Sequence, residues 1–253
     1  MTTAIDSTQP APAPVTKNAF QRIAGVFFSP VETFADIARK PDILVPLLVI
    51  LVISYVGTFL SMPHLDWDAM VAQQAEMVKK QNPNVSDADI ERMGRITKSM
   101  TKVMGYMGPI LIIIGYLIVA LVVWGACRLM GGEGDFKQAF SATLYAHFPR
   151  VLLGIIAAVV IMARGMVDPS TLATVVKSSP AFLVDMKEQP VLFALLGSIE
   201  LFQIWTIVLL IIGFAALTKL SRAKTAAIII SPWVISLVVK VGFAALGAAR
   251  MKA

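Results

Sequence analysis

The chain has 253 residues, of which 57% are hydrophobic and only 15% charged, whereas ordinary soluble domains carry about a quarter charged residues. A formal net charge of +6 does not point to nucleic acid, because the basic residues sit beside apolar runs, where they meet anionic lipid heads and set orientation. The single cysteine, Cys127, excludes an intrachain disulfide and any multi-cysteine metal site.

In chain order, residues 1–19 are expected to be a disordered tail: the start is rich in Pro, Ala and Thr and lacks the basic-then-apolar order of a cleavable signal. Phe20, Ile23, Phe27 and Phe28 suit an interfacial segment. Ser29-Pro30-Val31-Glu32 then combines an N-cap serine, a proline at the first helical position and a glutamate placed to return a capping-box bond, so a helix should start there. Val31, Phe34, Ile37 and Ala38 follow helical spacing while Glu32, Asp36, Arg39 and Lys40 face elsewhere. Such a helix lies along the membrane surface, and Lys40-Pro41 ends it, while packing on the spans is the alternative for the preceding segment with Phe20, Ile23, Phe27 and Phe28.

Five apolar runs follow, over 43–62, 109–130, 142–163, 191–217 and 226–249, each of about 20 residues and so long enough to cross the hydrocarbon core as a helix. His147, Pro149 and Arg150 interrupt the start of the third, and Pro232 is placed to break the fifth. Between the first two runs, Ser86 and Asp89 form a helix-start signature, and Ile90, Met93, Ile96, Met100, Val103, Met104 and Met107 recur at helical spacing. An amphipathic helical hairpin running into the second span is the expected form. The fold class is therefore an all-α polytopic membrane bundle of five spans, with an N-terminal amphipathic surface helix and an amphipathic segment between spans one and two.

Basic residues in short loops set orientation. Lys219, Arg222 and Lys224, then Arg128, Lys137 and Arg150, then Lys17, Arg22, Arg39 and Lys40 all fall on one side if there are five spans. That side is expected to be cytoplasmic, with the N-terminus on it and the C-terminus opposite.

The stretches FFSPVETFADIARKPDILVPLL, GGEGDFKQAFSATLYAHFPRVLLG and LTKLSRAKTAAIIISPWVISLVV, in that order between about Val26 and Leu246, together resemble the Yip-domain family of multispanning membrane proteins. The resemblance is to its prokaryotic members. It implies five spans with a cytoplasmic N-terminus and residence in a prokaryotic cytoplasmic (inner) membrane. Eukaryotic relatives are linked to Rab GTPases and vesicle traffic, a role that does not carry over to this branch.

Glu200 in the fourth run and Lys240 in the fifth are ionisable groups inside spans, costly unless paired or hydrated. In a hairpin folded about Leu220 they share a depth, so an intramembrane ion pair between them is expected, read first as a structural brace and second as part of a substrate or proton pathway. Arg150, with His147, is expected at the cytoplasmic entrance of the third span, as an interfacial anchor, a partner of Glu133 or Asp135, or a hold on a lipid phosphate. The run Gly131-Gly132-Glu133-Gly134-Asp135 lacks the lysine and strand of a phosphate loop and reads as a turn. Gly154 with Ala158, or Gly242 with Ala245 and Gly247, offer small faces for self-association or for packing within one bundle.

No Ser-His-acid set, dinucleotide fingerprint or zinc motif is present, so no catalytic residue, cofactor or metal is expected. The expected partners are membrane lipids, a protein at the cytoplasmic loops and a second copy of the chain, with no nucleic acid. Two functions compete: a non-enzymatic scaffold or adaptor that recruits a partner or organises membrane, and a small-solute, proton-coupled or lipid transporter using Glu200 and Lys240. The first leads on the family resemblance.

Overall fold

The structure, a computed structural model, describes residues 16–186 and 188–252. Most of the expected tail, residues 1–15, lies outside the described residues. Its end, however, is engaged. Asn18 caps α1 (Ala19–Phe28) with a reciprocal box, its side chain accepting from the Gln21 N–H at 2.9 Å while the Gln21 side chain accepts from the Asn18 N–H at 2.9 Å. The Lys17 N–H donates to Asp36 at 3.2 Å.

Helix α2 (Pro30–Arg39) starts at the expected proline, but the expected capping box at Ser29 and Glu32 does not form. Ser29 is also the last link of α1, its N–H donating to the Gly25 carbonyl at 2.8 Å, and its hydroxyl takes the Lys17 ammonium at 3.4 Å instead. Glu32 faces the same lysine at 3.8 Å. The helix buries Thr33, Phe34, Asp36 and Ile37, and its main neighbour is the fourth span. It therefore packs on the bundle, and Asp36, expected to face outward, points in.

The remaining helices are α3 (Leu44–Ser61), α4 (Trp67–Gln81), α5 (Asp87–Leu129), α6 (Phe136–Ala146), α7 (Phe148–Arg164), α8 (Pro190–Gly197), α9 (Leu201–Thr218) and α10 (Arg222–Lys252). Among the described residues five helical stretches are long and apolar enough to cross a membrane: Leu44–His64, Asp87–Leu129, Phe136–Arg164, Leu201–Thr218 and Arg222–Ala249. Three boundaries differ from the sequence expectation. The third span begins at Phe136, because Asp135 caps α6 through a second reciprocal box with Gln138. The fourth run is split at 198–200 into α8 and α9. Pro232 lies inside α10, which continues through it as α5 continues through Pro109.

The core is built around α6. Every residue from Ala139 to Ala146 is buried, enclosed by α1, α2, α3, α5 and α9. A smaller core at the opposite end joins Met62, Leu65, Trp67, Ile161, Val167 and Val175 beneath a parallel bridge between Leu65 and Val167.

Helix α4 folds back on the start of α5, as the spacing predicts, and its outer face is tied by Lys98 to Asp68 at 2.5 Å and Lys79 to Asp87 at 2.7 Å. Hydrogen bonding from the two lysines holds both carboxyl groups below the usual aspartate range. A depressed folded pKa means the stabilisation is present above the unfolded value and is lost as pH falls through the folded one. Amide exchange in α4, measured against the intrinsic rate at each pH, is therefore expected to accelerate below about pH 4 and in high salt, while exchange in α6 stays slow. Equal acceleration in both would mean that α4 has no separate attachment.

Candidate functional site: a cation-floored cleft at half height

The third span is broken at His147. Pro149 has no N–H for the Tyr145 carbonyl, so α6 stops and α7 restarts with Pro149 in its first turn. The His147 Nδ1 lies 2.7 Å from the Thr143 carbonyl, and its ring centroid is 3.9 Å from that of Tyr116 on α5. One turn on, the Arg150 guanidinium donates to the Gln203 side-chain oxygen on α9.

The height of this layer follows from helical rise. Arg150 lies 14 residues beyond Phe136 and Gln203 lies 15 before Thr218, which is about 21 to 22 Å at 1.5 Å per residue. Both counts start from the same end, where the Glu133 N–H bonds the Thr218 carbonyl at 2.9 Å. The third span measures about 43 Å by the same rule, so Arg150 sits near its middle rather than at its entrance. The sequence places it at the entrance because the apolar run starts only at Ala142, inside α6, whereas the helix starts at Phe136.

Glu200 and Lys240 do not form the expected ion pair: among the described residues no ion pair within 4 Å joins them. The break at 198–200 puts Glu200 at the N-cap of α9, where its carboxylate accepts from the Phe202 N–H at 3.0 Å and the Gln203 N–H at 2.7 Å. Unpaired amides and the positive end of the helix dipole meet its charge instead. Lys240 faces a cleft.

That cleft, of about 760 Å³, lies between α5 and α7, which hardly touch one another. Its polar lining is Tyr116, His147, Arg150, Gln203 and Lys240, with Ser54, Thr58 and Ser61 at helical spacing on α3. Arg150 and Lys240 are its charged groups, and no carboxylate lines it. Neither has an acid within 4 Å among the described residues. The sequence reading missed Tyr116, Gln203 and the hydroxyl stripe. The spacing of Ser54, Thr58 and Ser61 within an apolar run was the available signal.

A second polar locus ties the N-terminal hairpin to α6. Arg22, 3% exposed, donates to Asp36 at 2.9 Å through both Nε and Nη2 and also to Asp42. Asp42 in turn receives the Tyr145 hydroxyl at 2.9 Å, its backbone carbonyl receives the Ser141 hydroxyl at 2.7 Å, and Gln138 donates to the Ala38 carbonyl at 2.6 Å. Burial pulls the Arg22 pKa down, but the two carboxylates outweigh it and leave the pKa raised, so the guanidinium stays charged. Ser29, Pro30 and Glu32 lie on the outer side of this locus and the structure does not bring them to the cleft.

Five apolar helical spans, the third of them broken, around a cleft define an integral, polytopic all-α membrane protein. The family model for the Yip1 domain matches residues 24–243, a range that contains every residue of the cleft, and the chain belongs to that family. It is similar to membrane protein YknW of Bacillus subtilis (strain 168), with 27% identity over 190 residues covering 75% of each chain. No solved structure matches it.

Proposed function

We propose that this chain binds an anionic ligand within the membrane, in the cleft floored by Arg150 and Lys240, and holds or moves it there. The supporting observation is the pair of cations without an acid partner. An unmatched intramembrane cation costs about 3 kcal/mol on insertion scales, so these two require water or an anion in the cleft. The third span, broken at His147 within the bilayer, has the discontinuous form found in transporters whose site lies near the midplane. This moves the transport reading ahead of the adaptor reading and transfers its charged role from Glu200 to Arg150.

The adaptor reading keeps one observation in its favour. Phe20, Phe28 and Val31 are 69%, 88% and 50% exposed on the N-terminal hairpin, a face that suits lipid or a protein partner. The basic turn around Lys219 and Arg222 supports a cytoplasmic placing of that end, so such a partner would be cytoplasmic.

A water-accessibility scan in intact cells separates the two readings. In a Cys127→Ser background, single cysteines at Ser54 and Lys240 are expected to label from the side that labels Gln73 and not from the side that labels Ser221. Absence of labelling at both positions from either side would mean a dry cleft and return the lead to the adaptor reading.

A further inference from the structure

The cleft has two unlike walls and a charged floor, and together they specify a ligand more closely than an anion. The inference rests on the reading of the cleft as an anion site. At about 760 Å³ the space falls in the range of sites for drug-sized molecules and is far larger than a bare phosphate needs. On α3, Ser54, Thr58 and Ser61 present hydroxyls that make no hydrogen bond to the protein among the described residues. The facing wall, from α5 and α7, is alkyl and glycine: Ile112 and Val119 on one helix, Val151 and Ile161 on the other.

Three glycines of that wall, Gly108, Gly115 and Gly154, are in open space, since a Cβ built on any of them meets no atom within 4 Å. Glycine in a membrane bundle ordinarily lets two helices touch. Here it keeps a trough empty. From Val151 to Ile161 the trough runs about 15 Å, long enough for an extended stretch of alkyl chain. A hydrophilic anion would leave this wall facing water, and a neutral lipid would leave both cations unmatched.

We infer that the cleft is a site for a single anionic phospholipid, with its phosphate on Arg150 and Lys240 and one acyl chain in the trough formed by Gly108, Gly115 and Gly154. The planar guanidinium suits two phosphate oxygens, and the α3 hydroxyls suit the glycerol and headgroup.

The test is native mass spectrometry of the full chain, delipidated in detergent and titrated with phosphatidylglycerol, phosphatidylcholine or inorganic phosphate. The expected result is one phosphatidylglycerol bound in preference to phosphatidylcholine, weakened about tenfold or more by Arg150→Gln and by Lys240→Gln. Gly115→Leu and Gly154→Leu should weaken it as much with both cations intact, and an unchanged helical signal and elution volume verify their fold. Gly154→Ala, which adds only one methyl into open space, serves where the leucine variants fail to fold, and should reduce binding to a lesser degree. Leucine variants that bind normally, or equal binding of both lipids, would overturn the assignment. Phosphate bound at Arg150 without lipid preference would also overturn it while leaving the anion site standing. Failure of the wild-type chain to bind any of the three would remove both readings.

Discussion

Arg22→Ala is expected to destabilise the protein by about 3–5 kcal/mol, the cost typical of breaking a buried pair from one side. The Arg22 and Asp36 side chains are each 3% exposed, so removing the guanidinium leaves a buried Asp36 carboxylate with only the Lys17 N–H at 3.2 Å and the more distant Arg39 to meet it. One oxygen of Asp36 already lacks a hydrogen-bond partner and has only the Arg39 guanidinium at 3.6 Å. The measurement is reversible unfolding in mixed micelles, with Arg95→Ala as the comparison. Arg95 pairs with Glu91 at 2.5 Å but both are exposed, so its loss should cost under about 0.5 kcal/mol. The double variant Arg22→Met with Asp36→Leu should recover most of the loss, because replacing both buried charges removes the stranded one. If Arg22→Ala costs no more than Arg95→Ala, water reaches the pair, and the account of a hairpin riveted to α6 by a dry ionic network fails.

That network marks where reading the sequence stopped. Run length alone located the spans, because about 20 apolar residues have few other homes. The hairpin of α4 and α5 followed from Ser86 and from apolar spacing that continues into the span. The burial of Arg22 and Asp36 could not be read this way, since helical periodicity assigns polar residues to the outside and carries nothing about a partner 14 residues off on another helix. For the same reason α2 was divided correctly for Phe34 and Ile37 and wrongly for Asp36.

At the cleft the difficulty was depth. His147, Pro149 and Arg150 are legible as an interruption, but the apolar run starts only at Ala142, and the turn before it, with Lys137, Gln138 and Ser141, carries no apolar run that would extend the span back to Phe136. The hydroxyls of α6 are satisfied internally: Thr143 donates to the Ala139 carbonyl at 2.8 Å and Ser141 to that of Asp42. Once α6 belongs to the span, Arg150 moves to half height. The hairpin argument did put Glu200 and Lys240 at similar depth, but an unbroken fourth helix was assumed. The break gives Glu200 a cap of its own and leaves Lys240 without it.

Gly213→Leu is expected to detach α2 from α9 and cost upward of about 3 kcal/mol, the upper end of overpacking effects. A Cβ at Gly213 would stand 2.9 Å and 3.0 Å from two ring carbons of Phe34, a side chain 1% exposed and fixed among Val26, Ile37 and Phe214. A planar ring held on all sides has no flexible end to yield, so the helix must move as a unit. Labelling of a cysteine placed at Thr33, itself fully buried, reports the movement: protected in the parent chain, open in Gly213→Leu. Adding Phe34→Ala should restore protection by clearing the ring, giving a coupling of at least about 1 kcal/mol between the two positions. No coupling would mean that α2 is held elsewhere. The variant also tests whether the two polar loci work together. Gly213 lies ten residues from Gln203 along α9, about 15 Å from the floor of the cleft. If Gly213→Leu opens Thr33 while ligand binding at Arg150 is unchanged, the hairpin is a separate docking face, and one chain holds both an adaptor surface and an intramembrane site. If binding falls with it, the hairpin acts through α6 and α9 to hold the cleft in shape, and the two functional readings describe parts of one device.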